Sequence, residues 1–575
     1  MDVENIIGVE GKHLGEVKIE EINRVWLKHY DEWVRPSLEF PEIPLFRLLE
    51  DTARAKPENT AIVFFGKEIT YRELDALSNK LASYLKSLGV KKGDGVILAM
   101  PNIPQYVISY YAVLKAGGIV VQANPIYTER EFKHIASNSE ARIAIILDQI
   151  LDNVYPLKKD GLVDHIILAK VEDYLPFPLS FLYSFKKKKV RVPAVPDIHE
   201  WKAALASEEL KERPEVNPKE DIAVHQYTGG TTGFPKAAML THYNLVANVY
   251  QTIEWIPGKG EGDVFLGALP YFHVFGMTTS MNAPIAVGAP MILVPDPRDI
   301  KRVIQAIDKY RVSIFCGVPT LFNAILNHPD LKKYDLSSLK ACISGAAPLP
   351  VELKRSFEKE TGSKLIEGYG LSETSPVTHG NPFYGMNKEG SIGIPFPDTY
   401  ALVIDEEGKV LPVGEIGELA IFGPQVMKGY YKMEEETRKT LVSGWLLTGD
   451  MAKMDEDGYF YIVDRKKDVI IAGGYNIYPR EVEEVLYEHP AVLEAAVVGV
   501  PDKYRGETVK AFIVLRPEHR GKVSEKDIEQ FCRQKLAAYK VPRIIEFVDE
   551  LPKSAVGKVL RRVLRDQEVK KMEQS

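Results

Sequence analysis

The chain has 575 residues, 45% hydrophobic and 27% charged, and a formal net charge of -7. That length is more than one core fills, the balance is that of a globular protein, and the mild acidity gives no reason to expect nucleic acid as a partner. Only Cys316, Cys342 and Cys532 are present, and none forms a CxxC pair, which fits a reducing cytoplasmic compartment and argues against disulfides, zinc or haem. The start, Met1-Asp2-Val3-Glu4, is acidic where a secretory signal is basic, and no apolar segment follows.

Along the chain, Thr70-Tyr71-Arg72-Glu73 is a capping box. Leu74, Leu77, Leu81, Leu85 and Leu88 then lie on one helical face, closed by Gly89. Residues 96–100 read as a buried strand, 104–115 as a helix, Thr128-Glu129-Arg130-Glu131 as a second capping box, and 143–147 as another buried strand. Alternating strands and helices imply an α/β architecture with largely parallel sheets. Residues 175–185, Leu-Pro-Phe-Pro-Leu-Ser-Phe-Leu-Tyr-Ser-Phe, precede lysines at 186–189 and Arg191. Apolar residues beside a basic cluster suit either peripheral contact with an anionic membrane, on its inner face, or a packed loop with a solvated rim.

Residues 264–295 carry no Asp, Glu, Lys or Arg and are long enough to span a bilayer. Pro270, Pro284, Pro290 and Pro295, with Gly267, Gly276, Gly288 and His273, cut that run into pieces. A strand, a turn, a helix and a second strand in a buried core account for it better. Further on, an apolar strand at 460–463 meets the charge run Asp464-Arg465-Lys466-Lys467-Asp468, which is either solvated surface or a hinge. Beyond it, strands at 495–500 and 511–515 suggest a small α+β domain. No repeat or low-complexity tract is visible.

The chemistry starts at Tyr227-Thr228-Gly229-Gly230-Thr231-Thr232-Gly233-Phe234-Pro235-Lys236. Packed glycines let backbone N–H groups approach an anion, threonine hydroxyls add donors, and Lys236 adds charge. No Gly-Lys-Ser/Thr follows, so this phosphate loop is not a Walker loop. Four more segments accompany it: Glu367-Gly368-Tyr369-Gly370-Leu371-Ser372-Glu373-Thr374, Thr448-Gly449-Asp450, the charge run at 464–468, and Pro552-Lys553-Ser554-Ala555-Val556-Gly557-Lys558. In this order and spacing they resemble the signature motifs of the adenylate-forming ligases, most of all the prokaryotic long-chain fatty acyl-CoA synthetases. The resemblance runs from about residue 44 to about residue 565.

That resemblance implies a large N-terminal domain of layered α/β subdomains (1–464) and a small mobile α+β lid (465–575), with the hinge at Lys467. It implies ATP, CoA and a fatty acid as substrates and Mg²⁺ as cofactor. Glu373 would hold the metal, with Thr228 nearby; Mg²⁺ is hard and often takes one carboxylate plus phosphate oxygens. Tyr369, between two glycines, would stack on adenine, with Gly345, Ala346 and Ala347 on the base's other side and beside the acyl chain. Ser372 stands where the family more often has threonine and keeps the hydroxyl. Asp450 would accept the ribose hydroxyls, supported by Arg465. Lys558 would be carried in by the lid to the α-phosphate. His273, in Leu269-Pro270-Tyr271-Phe272-His273-Val274-Phe275-Gly276, would orient the carboxylate or gate the acyl pocket. Some long-chain enzymes carry a gating tryptophan four residues past this histidine; here Met277 lies in the acyl-pocket segment, and methionine suits a flexible tunnel. Gly473 and Gly474 would line the CoA path.

The expected activity is ATP-dependent formation of fatty acyl-CoA through an acyl-adenylate. A medium-chain or aryl acid ligase of the same superfamily is the alternative, and a non-catalytic acyl-binding or uptake protein the third. Retained Glu373, Asp450 and Lys558 argue against a pure binder. No G-x-S-x-G elbow appears, and none is needed, because the adenylate is itself the activated intermediate. No carrier domain is expected. Chain-length preference and pathway stay open, as does a homodimer.

Overall fold

A computed structural model describes residues 5–187, 190–228, 235–472, 475–502, 504–554 and 557–573. Among them, two large mixed sheets build the N-terminal part. An eight-stranded sheet runs in the order Gly429–Tyr430, Lys236–Thr241, Ile222–Thr228, Ile119–Gln122, Gly95–Ala99, Ile143–Leu147, His165–Ala169, Ile198–Glu200. Its strands are parallel except at the first two, where the chain turns back at the phosphate loop. Buried on both faces, these strands are continuously apolar, as in Ile143–Leu147.

The second sheet has nine strands and is parallel through Met291–Leu293, Phe265–Gly267, Ile314–Gly317, Ala341–Ser344 and Lys364–Gly370. Helices cover its faces, so the layered α/β class expected from the sequence holds. Both capping boxes form, opening helices Tyr71–Ser87 and Glu129–Ser139. A helix spans Pro104–Lys115, with proline at its first turn, where a missing N–H costs nothing.

The uncharged run at 264–295 folds as strand Phe265–Gly267, helix Val274–Met277, a π turn Thr278–Asn282, helix Ala283–Val287 and strand Met291–Leu293. Among the described residues no helix is long and apolar enough to cross a membrane.

An antiparallel sheet containing Trp445–Met454 and Phe460–Arg465 leads into the C-terminal part. There, Val492–Asp502 and Gly506–Leu515 pair over their whole lengths in a further five-stranded sheet. From Ile470 onward the buried residues pack into cores of their own, around Ile470, Val482, Val497 and Ile528 on one face and Val498, Phe512 and Leu564 on the other.

Candidate active site

The carboxyl ends of the parallel strands open into one cavity of ≈ 1920 Å³. Ligands bind outside such strand ends because loops there can diverge and leave a crevice. Thr228 lies at the end of Ile222–Thr228, and cross-strand pairing sets Lys236 opposite it. Gly345, Ala346 and Ala347 follow the strand Ala341–Ser344, and Glu367, Gly368, Tyr369 and Gly370 close the strand Lys364–Gly370. Ser372 and Glu373 form the short turn after it. All of these line the cavity, with His273, Asp450, Arg465, Lys467 and Lys558. Gly229, Gly230, Thr231, Thr232 and Gly233 of the phosphate loop, and Gly473 and Gly474, lie outside the described residues.

The polar side of the cavity is held by its own hydrogen bonds and ion pairs. Tyr369 Oη donates to Asp450 Oδ2 at 2.6 Å. Burial first, then the Asp450 charge, pushes the Tyr369 phenol well above its ordinary range, so it stays a donor. Asp450 pairs with Arg465 across two antiparallel strands, and Arg465 Nε lies 3.6 Å from Asp450 Oδ1. Gly370 is tight against the chain that follows: a Cβ there would sit 2.1 Å from the Pro376 carbonyl oxygen. Only glycine lets the strand cross there, and the crossing holds Glu373 at the cavity.

Glu373 Oε1 accepts the Tyr430 hydroxyl at 2.8 Å. Among the described residues no group of three or more His, Cys, Asp or Glu could hold a metal. A cation at Glu373 would therefore take most of its ligands from phosphate and water. That donor set fits Mg²⁺ and not zinc. Lys236 ion-pairs with Glu436, and its ammonium lies 5.3 Å from the Tyr430 ring centroid.

On the apolar side of the cavity, the N–H of Phe275 donates to His273 Nδ1 at 3.3 Å, which leaves the neutral ring's proton on Nε2. Burial, aided by the Lys558 charge, pushes that imidazole down to about 4. It is therefore a neutral N–H donor at ordinary pH. Trp255, Phe272, Val274, Phe275 and Phe396 line the adjoining apolar part of the cavity. Trp255 and Phe396 stack there at 4.3 Å.

Met277, expected in the acyl pocket, lies away from the cavity that His273 and Gly345 line. It is fully buried, its Sδ accepts Gln122 Nε2 at 3.2 Å, and it does not line the cavity. Two residues along a helix is a turn of about 200°, so Phe275 faces the pocket and Met277 faces the core behind it. Phe275 packs against Gly345, where a Cβ would approach its ring to 2.8 Å.

Lys558 reaches the cavity from the C-terminal part. Gly557, at φ +75, puts it there: a Cβ would lie 2.7 Å from Thr320 Oγ1. Burial, then the Arg465 charge, lowers the Lys558 ammonium to about 7, against the opposing pull of Asp450. A bound polyphosphate would raise it again. ATP binding at about pH 8 should therefore take up most of one proton, and at about pH 6 should take up none from this lysine. Calorimetry in buffers of different ionisation enthalpy measures this, and Lys558→Met should abolish the uptake.

Three contributors carry no motif signal. Arg480 donates to the carbonyl oxygens of Ile462 at 2.9 Å and Gly390 at 3.4 Å, and lies 3.8 Å from Glu367. Burial raises that Glu367 carboxyl to about 7, with Arg480 opposing. Tyr430, in the strand Gly429–Tyr430, and Glu436, in the helix Glu434–Thr440, are the others; a tyrosine and a glutamate there are unremarkable until the fold sets them beside Lys236. Among the described residues, Arg561 ties Lys558's own segment down through Asp464 at 2.9 Å and Glu483 at 2.5 Å.

A cavity at strand ends, with phosphate-loop flanks on one wall and a lysine delivered by a separate small unit, defines a nucleotide-using enzyme. The chain belongs to the AMP-binding enzyme family. The description "AMP-binding enzyme" matches residues 49–431, and "AMP-binding enzyme C-terminal domain" matches residues 481–558. The long-chain-fatty-acid–CoA ligase of Bacillus subtilis (strain 168) is 50% identical over 552 residues, covering 94% of this chain and 98% of the relative. That of Yersinia pestis is 40% identical over 559 residues, covering 96% and 99%. ATP-bound MatB from Rhodopseudomonas palustris superposes with a TM-score of 0.81 at 30% identity, covering 91% of this chain and 98% of that one. The same protein without ATP gives 0.71, so the fold here lies nearer the ATP-bound form.

Proposed function

We propose that this chain joins a long-chain fatty acid to CoA at the expense of ATP, releasing AMP and pyrophosphate. The observation that carries the reading is a single cavity lined both by the nucleotide motifs and by the apolar wall of Trp255, Phe272, Phe275 and Phe396. The two ligases compared above, named for long-chain fatty acids, support the substrate class.

In the first half-reaction the fatty carboxylate oxygen attacks the α-phosphorus, the bond to the bridging oxygen breaks, and pyrophosphate leaves. We assign His273 Nε2–H to orient the carboxylate and Lys558 to stabilise charge building on the α-phosphate. Lys236, Thr228 and the adjoining loop hold the leaving phosphates. Tyr369 and the Gly345–Ala346–Ala347 segment flank adenine, while Asp450, freed from Tyr369, takes the ribose hydroxyls. Mg²⁺, held by Glu373 and Thr228, would neutralise phosphate charge. In the second half-reaction the CoA thiolate attacks the acyl carbonyl and AMP leaves. We place the domain boundary at 464/465 and the hinge at Lys467, so that residues 465–575 reorient between the two steps and withdraw Lys558.

The test is acid-dependent pyrophosphate release without CoA, followed by thioester formation when CoA is added. Release that strictly required CoA would contradict the adenylate.

We also propose that residues 175–191 meet an anionic membrane surface. Phe177, Phe181 and Phe185 are 85%, 58% and 73% exposed, and helix Leu179–Lys186 carries Leu182 at 50%. Among the described residues Lys187 is tied to Asp148 and Glu172 and offers little free charge, so the exposed phenylalanines carry the test. The triple variant Phe177→Ser, Phe181→Ser, Phe185→Ser should lose about tenfold or more in partition to anionic vesicles, measured by flotation. Unchanged flotation would rule the surface out.

A further inference from the structure

The helix Glu434–Thr440 begins with three glutamates, and they behave differently. Glu434 and Glu435 are exposed, and Glu435 pairs along the helix with Lys439 at 2.7 Å. Glu436 alone turns inward and ion-pairs with Lys236, which is only 17% exposed. The turn is fixed locally: Thr437 Oγ1 accepts the Tyr430 N–H at 2.9 Å and donates to the Met433 carbonyl at 2.9 Å. This clamps the first turn of the helix onto the strand Gly429–Tyr430, beside the strand that starts at Lys236. Residues 434–440 fall between the two matched family spans, which end at 431 and resume at 481.

The pairing places a carboxylate on the ammonium that the phosphate loop needs. Lys236 sits opposite Thr228 in register, and Tyr430 under it reaches Glu373. Glu436, Lys236, Tyr430 and Glu373 therefore form one connected line along the phosphate end of the cavity. A polyphosphate can engage Lys236 fully only by displacing Glu436 or by standing beside its negative charge. The same carboxylate is ready to take the ammonium back when pyrophosphate has formed.

We infer that Glu436 is a positioning residue that holds Lys236 at the phosphate end between turnovers and competes with pyrophosphate for it, so that it speeds pyrophosphate departure. The inference rests on the ligase reading above. It concerns leaving-group release, and it moves ATP and pyrophosphate affinity in the same direction.

The test uses the full chain and inorganic pyrophosphate as the probe. For Glu436→Gln, the inhibition constant of pyrophosphate against ATP and the KM for ATP should both fall, by roughly three- to tenfold, as expected for losing one partly buried competing charge. Glu436→Asp, which keeps the charge, should restore both constants toward wild type. Glu435→Gln, on the same helix but paired outward, should leave them unchanged. Pyrophosphate inhibition that is unchanged or weaker in Glu436→Gln would overturn the inference, as would an equal shift in Glu435→Gln. Wild-type exchange of labelled pyrophosphate into ATP, run alongside, separates the two claims: its absence would sink the ligase reading, whereas its presence with an unaltered Glu436→Gln would sink only this one.

Discussion

Lys558→Ala should cut adenylation by about 10²–10³-fold while leaving thioester formation from supplied acyl-adenylate within a few-fold of wild type. The size follows from where the ammonium sits. It is half-buried, it shares the cavity wall with His273 and Asp450, and a fixed charge held out of bulk water stabilises developing phosphate charge more than an exposed one. Its position depends on Gly557 lying against Thr320, a contact between the C-terminal unit and the N-terminal part. On the proposed reorientation the unit is turned away in the second half-reaction, so the lysine should matter little there. Single-turnover rates of the two half-reactions, measured separately, check this. Equal losses in both would show that Lys558 supports the whole site rather than one step.

Lys467→Pro should give the reverse pattern. Its neighbours are pinned: the Lys466 N–H donates to the Gly449 carbonyl at 3.0 Å, and the Asp468 N–H to the Arg465 carbonyl at 2.9 Å. On the proposed hinge, reorientation of everything beyond passes through the torsions around residue 467. Proline locks φ there and removes the N–H. Adenylation should persist, and overall CoA-dependent turnover should fall by about two orders of magnitude. An overall rate close to wild type would move the hinge elsewhere.

Local and contiguous features were legible in the sequence. The two capping boxes read correctly because cap chemistry is confined to four residues. The 104–115 helix was fixed by its proline start, and the continuous apolar strands by burial on both faces. Prolines and glycines broke the 264–295 run where the structure breaks it, although the π turn at Thr278–Asn282 carries no such mark. Features made by the tertiary fold were not legible. Arg480 reaches Glu367 from more than a hundred residues away in sequence, and nothing local distinguishes it from any arginine in a helix's first turn. The Glu436–Lys236 pair is of the same kind. Met277 was set in the pocket by motif position, but the direction of its side chain depends on helical phase, which begins only where the Phe275 N–H caps onto His273.

The central claim is that the cavity takes a long unsubstituted alkyl acid. Its apolar wall offers contact to each added CH₂, worth about 0.8 kcal/mol when buried, whereas a second charge from an amino acid or dicarboxylate would be stranded at a cost of several kcal/mol. The most direct test is kcat/KM for pyrophosphate release across straight-chain acids from acetate to an eighteen-carbon acid, with aryl and amino acids in the same series. The account predicts a rise with chain length to a maximum at a long-chain acid, a fall once the tunnel is full, and no measurable turnover of amino acids. A maximum at acetate, an aryl acid or an amino acid would contradict it.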